Sequence, residues 1–233
     1  MTKSLLERLR VFQIPPATPI PQERTLVVRL EGIDFDGVLN SPELGFAQPF
    51  DSRFAKMMVR TASYLLGGDA CGQFAFAEHF ELSVLLDRRV LGRWSDANAL
   101  QCFLVGLAST RLSGLVGAEA IFGCSLFAFN APEVVISYFM WRRQEANLRA
   151  LDRYCSFVLS RESSPEQVAK LLEGMGPLEK EEILRQHDID YRTEVPSWQR
   201  DGAGVHLSDS GIVVDTSLPA ADAYGPYLQR YLG

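Results

Sequence analysis

The stretch "FAFAEHFELSV" at residues 74–84 gathers the groups most able to do chemistry in this chain. Apolar alternation on both sides of a short polar break predicts an antiparallel hairpin, with Glu78, His79 and Glu81 crowded around Phe80 near its turn. Carboxylates so placed can hold a divalent cation through oxygen or carry protons. Successive strand side chains face opposite ways, so neighbouring acids reach one ion only if a bulge or turn re-aims them. His79 reads either as a solvated turn residue or as a base, and Phe80 as a hairpin-packing aromatic. The other candidates are cations. Four lysines (Lys3, Lys56, Lys170 and Lys180) stand against nineteen arginines, and no lysine falls between 57 and 169. Phosphate recognition in that span therefore rests on arginines or on backbone N–H groups. Arg88, Arg89 and Arg93 could serve it or form a solvated loop face. Arg142 and Arg143 could serve it or pair with Glu145 or Glu133.

Composition bounds the rest. The length of 233 residues suits one large domain or a domain with an appended subdomain, and a hydrophobic content of 47% supplies a full core. A net charge of −6 argues against a simple basic nucleic-acid binder. Cys71, Cys102, Cys124 and Cys155 show no C-x-x-C spacing, which suits a reduced, cytoplasmic protein. The three histidines are too dispersed in sequence to suggest zinc. With no signal peptide and no apolar run of 18 residues, no membrane span is expected.

The elements that must position these groups follow from periodicity. A short helical piece and the proline-rich arm "QIPPATPIPQ" occupy 1–23, and "RTLVVRLEG" (24–32) reads as a buried strand. Residues 51–66 carry helical spacing with Asp51 as N-cap, closed by Gly67-Gly68. The hairpin follows at 72–77 and 81–87, then a mostly buried helix at 97–117 and a strand at 119–129. The order β-α-β-β-α-β predicts an α+β, ferredoxin-like antiparallel sheet over 24–130. A helical extension over 131–233 is expected to pack on it. It comprises a long helix at 131–161 capped by Asn130, a capping-box helix from Ser164, a third at 177–187, and a turn-rich end with short strands such as "GIVVD".

Five segments add a resemblance. "VVRLEGIDF", "QPFDSRFAKMM", "YFMWRRQEANLRAL", "EKEEIL" and "IDYRTEVPSWQRDGAGV" fall in the order, and between the element types, of the tRNA-histidine guanylyltransferase family, especially its bacterial and archaeal "-like" branch. The resemblance spans most of 20–207. It implies a polymerase-palm-type fold and 3′-to-5′ nucleotide addition to tRNA 5′ ends, with two magnesium ions and GTP or another nucleoside triphosphate.

Position by position, the implied site is altered. The family's Arg-x-Asp-Gly reads "RLEG", which leaves Glu31 and the Gly32 carbonyl as metal ligands. Its Ser-Asp-Glu hairpin reads His79-Phe80-Glu81. Glu81 is then the third metal candidate, and Phe80 takes the position of a metal-binding aspartate. Asp51, His79, Arg93 and Arg142 remain as nucleotide contacts. "FGCS" and "WRRQEANLR" lack the family's charged pair and its Asp…Asn; Glu145 and Arg149 stand in the latter two places. Gly32, Phe35, Pro49, Asp51, Trp141, Leu184, Pro196 and Trp198, which would hold the frame, are kept. The pattern implies a degenerate site with weak or substrate-dependent magnesium and impaired activity. The alternative is a non-catalytic member, a pseudoenzyme that binds nucleotide, RNA or a partner subunit. A palm-type cyclase or nucleotide sensor ranks below both. The arm, the sheet edges and the resemblance imply a homo-oligomer, a dimer or a tetramer.

Overall fold

A computed structural model of the protein describes residues 9–16, 18–94 and 96–232. The hairpin forms where the alternation placed it. Strands β2 (Gly72–Glu78) and β3 (Glu81–Leu86) pair antiparallel and turn at His79 and Phe80. Strand β1 (Thr25–Ile33) pairs antiparallel with β3 on one side and with β4 (Ile121–Phe129) on the other. The resulting order, β4-β1-β3-β2, is the ferredoxin-like one. Helix α1 (Phe35–Leu39) is a short turn directly after β1. Helix α2 (Ser52–Leu65) and helix α3 (Ala97–Val116) pack together on one face of the sheet. Asp51 caps α2, accepting from the Arg53 and Phe54 N–H groups at 2.6 and 3.2 Å.

Strand alternation sorts the core into two layers. Val28, Leu30, Ala75, Leu82 and Val84 face α2 and α3. Val27, Phe74, Phe76, Leu85, Phe127 and Phe129 face helix α4 (Pro132–Leu159) on the other side. α4 starts with no side-chain cap. Ala131 occupies the N-cap, so Asn130 does not take the capping role expected of it, and Pro132 opens the first turn. Helices α5 (Pro165–Leu172) and α6 (Pro177–Gln186) pack on the far half of α4, and α5 carries the full Ser164–Gln167 capping box.

Three features depart from expectation. Among the described residues the sheet has six strands. After α7 (Ser197–Arg200), β5 (Ala203–Ser208) pairs with the free edge of β2, and β6 (Gly211–Asp215) pairs with β5. The end of the chain thus extends the sheet as well as covering it, and helix α8 (Ala221–Gln229) closes over the α4 face. Gly204 obscured β5, and the packing requires it, since a Cβ there would sit 2.6 Å from the Tyr227 hydroxyl. The arm packs against its own chain. Gln13 bridges Phe127, the Ile14 N–H donates to Leu126 O at 2.8 Å, and Ile14 and Ile20 are buried. The helical piece expected before it falls largely outside the described residues. Finally, α3 is long and apolar enough to cross a membrane by length and composition, although Leu100, Leu104, Ala108, Leu112 and Val116 are buried in the helix layer.

The end of β1 and the hairpin turn meet as expected. The Gly32 N–H donates to Phe80 O at 2.8 Å, and Glu31 lies opposite Glu81 in register. A Cβ on Gly32 would lie 2.3–2.5 Å from the buried Phe35 ring. Gly32→Ala is therefore expected to destabilise the fold by about 1–3 kcal/mol through overpacking. Urea unfolding of the variant checks this; an unchanged midpoint would show that Phe35 moves aside freely.

Candidate functional site

One row of residues sets the site. On the α4 face, each of three neighbouring strands ends its apolar run in an acid: Val27-Arg29-Glu31 on β1, Leu85-Ser83-Glu81 on β3, and Phe74-Phe76-Glu78 on β2. Register places Glu31 opposite Glu81, and Glu81 opposite Glu78. Like charges directly opposite are unfavourable, and Glu78 and Glu81 are also buried. Three guanidiniums answer them. Arg29 Nε donates to Glu81 Oε2 at 2.6 Å, and its Nη2 lies 2.7 Å from Glu31 Oε1. Arg142 Nη2 reaches Glu81 Oε2 at 2.6 Å and Glu78 Oε1 at 3.1 Å. Arg149 Nη1 donates to Glu78 Oε1 at 3.0 Å and also to Glu81 Oε1. Arg142 and Arg149 are seven residues apart on α4, two turns, and so project from the same side.

Arg142 is fully buried, lies over the Trp141 ring at 5.2 Å, and leaves its Nε and Nη1 without partners among the described residues. Its charge is thus matched to Glu78 and Glu81, not to Glu145 or Glu133 as its sequence neighbourhood suggested. Glu145 pairs with Arg149 at 3.4 Å instead. Burial alone would raise the Glu81 carboxyl, but Arg142, Arg29 and Arg149 bring it down to about 2. Glu78 goes the other way. Burial, with Glu81 beside it, pushes it up against the pull of Arg142 and Arg149.

In front of this row opens a cleft of about 780 Å³, with Glu31, Gly32, Phe80 and Glu81 in its floor, the 36–50 segment on one side and α4 and α5 on the other. Phe80 is half-buried. It stacks on His79 at 4.2 Å, meets Phe35 edge-on, and carries the Arg153 guanidinium 4.5 Å over its ring. Arg153 also pairs with Asp36 at 3.0 Å. His79 is not a solvated turn residue: it is wedged between Phe50, Phe54 and Phe80. Burial, then the nearby Arg153 charge, hold it well below its usual range and therefore neutral.

The candidate residues thus fall in different places. Glu31, Gly32, His79 and Glu81 line the cleft. Arg142 lies directly behind its floor. Asp51 does not line it but ties down the loop that does, accepting from the Ala47 N–H at 2.8 Å and pairing with Arg53. Burial would raise the Asp51 carboxyl, but Arg53 and three backbone N–H groups lower it to about 2. Arg93 pairs with Asp69 at 2.6 Å, at the end of the β2–β3 ladder opposite its turn, and takes no part in the cleft. Arg29, Arg149, Arg153, Asp36 and Phe50 complete the site. Arg29 gave a sequence signal as a charge inside an otherwise apolar strand, and Arg149 as the residue in the place of the family's Asn.

The donors present are a poor fit to a pair of divalent ions. Both oxygens of Glu81 accept from guanidiniums, Glu31 is paired, and Phe80 offers no ligand. Among the described residues no group of three or more His, Cys, Asp and Glu side chains stands where it could hold a metal.

No protein-family model and no curated protein sequence matches the chain. Its structure, however, matches solved structures along nearly its whole length. A bacterial tRNA(His) guanylyltransferase (Thg1)-like protein in complex with ATP superposes with a TM-score of 0.77 at 18% identity, over 98% of this chain and 99% of that one. The form in complex with GTP gives 0.68 at 16%, over 98% and 99%. The tRNA(His) guanylyltransferase from Saccharomyces cerevisiae gives 0.70 at 22%, over 91% and 96%. The palm-type fold implied by the sequence resemblance is therefore the fold of this protein.

The acid row predicts an asymmetry. Glu81→Gln strands two buried guanidiniums and is expected to cost about 3–5 kcal/mol. Glu78→Gln removes a charge that burial already disfavours and should cost about 1 kcal/mol or less. The pH dependence follows the same sign. A carboxyl held at about 2, against an ordinary 4.5, contributes stability that is present above pH 4.5 and lost as pH falls towards 2. Urea midpoints from pH 6 to 3 should fall for the wild type and flatten for Glu81→Gln; equal costs for the two variants would contradict the assignment.

Proposed function

We propose that this chain is a member of the tRNA(His) guanylyltransferase-like proteins that keeps a nucleotide-sized cleft but has impaired or lost two-metal, 3′-to-5′ nucleotide addition. The observation that carries the reading is the commitment of Glu81 to Arg29, Arg142 and Arg149, beside Phe80 under the Arg153 guanidinium. Two-ion catalysis needs carboxylates free to bridge metals near a triphosphate. Here the acids of the row bind arginines, so no catalytic step is routed through metal. Glu31, Asp36 and Asp152, each with one basic partner and side chains 43%, 65% and 51% exposed, are the cleft carboxylates still open to solvent. A magnesium ion held by them would take its other ligands from the nucleotide, which makes the free protein's affinity for it weak.

The shape of the cleft and the solved neighbours in complex with ATP and GTP support a purine nucleoside triphosphate as ligand. Arg149 and Arg153 are the cleft's cations. They face Glu31, Asp36, Glu78, Glu81 and Asp152, so little net positive charge is available and affinity should be modest. His79 shapes the wall as a neutral ring; Asp51 and Arg142 position the parts that touch nucleotide. The second reading, a non-catalytic member that binds nucleotide, RNA or a partner subunit, draws on the same committed row.

Self-association belongs to this proposal, but no longer on the strength of the arm. It rests on α3, whose outward ridge of Cys102, Gly106, Thr110 and Gly114 is flanked by half-buried Phe103, Leu107 and Leu115, with Arg111 lying 5.2 Å over the exposed Tyr64 ring. An apolar helix side of that kind normally has a partner. Light scattering at micromolar concentration should give a dimer or a tetramer, and a monomer would refute this part.

Calorimetric titration of GTP and ATP, with and without magnesium, tests the main reading, together with nucleotide addition to a 5′-end-labelled tRNA transcript. Expected are one weakly bound nucleotide per chain and no addition above a protein-free control. Phe80→Asp with Glu31→Asp should raise magnesium-dependent GTP affinity. Robust magnesium-dependent addition by the wild type would overturn the proposal.

A further inference from the structure

Behind the Phe50–His79 wall of the cleft lies a second cavity of about 420 Å³, which no part of the proposed nucleotide reaction uses. Phe50, Met58, Val59, Ala77, Val214 and Trp198 make its sides. That volume falls within the range of small-molecule sites, and the walls are almost wholly apolar. The hairpin β5–β6 that extends the sheet creates it. Val214 comes from β6, and the Ser197 hydroxyl, bonded to Thr216 O at 3.0 Å, fastens the Trp198 segment beside it.

Two cations stand at the mouth. Lys56 and Arg60, one turn apart on α2, are exposed, and neither has a hydrogen bond or ion pair among the described residues. They contrast with the arginines of the core and cleft: Arg29, Arg142, Arg149 and Arg153 are all paired. The acid that also borders the cavity, Glu78, is engaged by Arg142 and Arg149. His79 belongs to both cavities, and its Nε2 is buried without a partner among the described residues.

We infer that this cavity binds a small amphipathic monoanion, an acyl or aryl carboxylate whose hydrocarbon part fills the apolar walls and whose charge rests between Lys56 and Arg60. The walls offer almost nothing to hydrogen-bond a nucleobase, which separates this ligand class from that of the cleft. Charge complementarity selects an acid over a neutral molecule of the same shape. An occupant also presses on Phe50 and His79 from behind, so the site is placed to change the shape of the nucleotide cleft without entering it.

The test uses octanoate and its neutral counterpart octanamide in calorimetric titrations of the full chain, with displacement of 8-anilinonaphthalene-1-sulfonate as a second readout. The wild type should bind octanoate more tightly than octanamide. Lys56→Ala with Arg60→Ala, both on the surface, should weaken octanoate by roughly tenfold and leave octanamide unchanged. Val214→Trp, or Ala55→Trp from the opposite wall, should abolish binding of both while thermal melting shows a folded chain. Absence of octanoate binding by the wild type, equal affinity for the two probes, or binding indifferent to both filling variants would each overturn the inference.

Discussion

Three glutamates side by side on adjacent strands, two of them buried, cannot stay ionised without counter-charges of fixed geometry. That constraint organises the cleft half of the molecule. The sheet register makes the row, and the row obliges α4 to present Arg142 and Arg149 at a two-turn spacing over the ends of β3 and β2. Arg29 must come from the strand itself, two residues before Glu31, where alternation puts it on the same face. At the other end of that face, Phe74, Phe127, Phe129 and Tyr138 fill the same layer with aromatic volume. One helix thus spans a greasy half and an ionic half, and the ionic half fixes its rotation.

Much of the frame was legible because it is written locally. Asp51 before an apolar 3.6-residue pattern, the Ser164–Gln167 box, and alternation on either side of His79 each point to one element. The strand β5 was illegible for an equally physical reason. Gly204 is there to admit the Tyr227 hydroxyl, a contact made by a helix more than twenty residues later, and a glycine in a short run breaks the strand signal. The proline-rich arm counted towards self-association; its destination, the edge of β4 in its own chain, depends on where Leu126 and Phe127 lie.

The acids of the site were likewise visible, and their company was not. Glu31, Glu78 and Glu81 could be placed together from the hairpin and the β1 alignment alone. Which cations answer them depends on the rotation of α4, and charged residues near Arg142 in sequence offered competing partners. Arg93 illustrates the opposite error. It was attractive as a cation in a lysine-poor stretch, but the ladder carries it to the wrong end of the hairpin, beside Asp69. Residue type announces what chemistry is available; long-range register decides where it is delivered.

The shared guanidiniums have a consequence for how such a sequence can drift. Glu81 is contacted by all three arginines, and Arg142 and Arg149 each serve both Glu78 and Glu81. Losing Glu81 alone strands buried guanidiniums, so tolerated changes there have to arrive as compensating pairs, the acid together with an arginine. Relatives of this chain should accordingly show Glu81 covarying with Arg142 and Arg149, inherited as a block, while Glu78, whose charge burial already disfavours, drifts more freely.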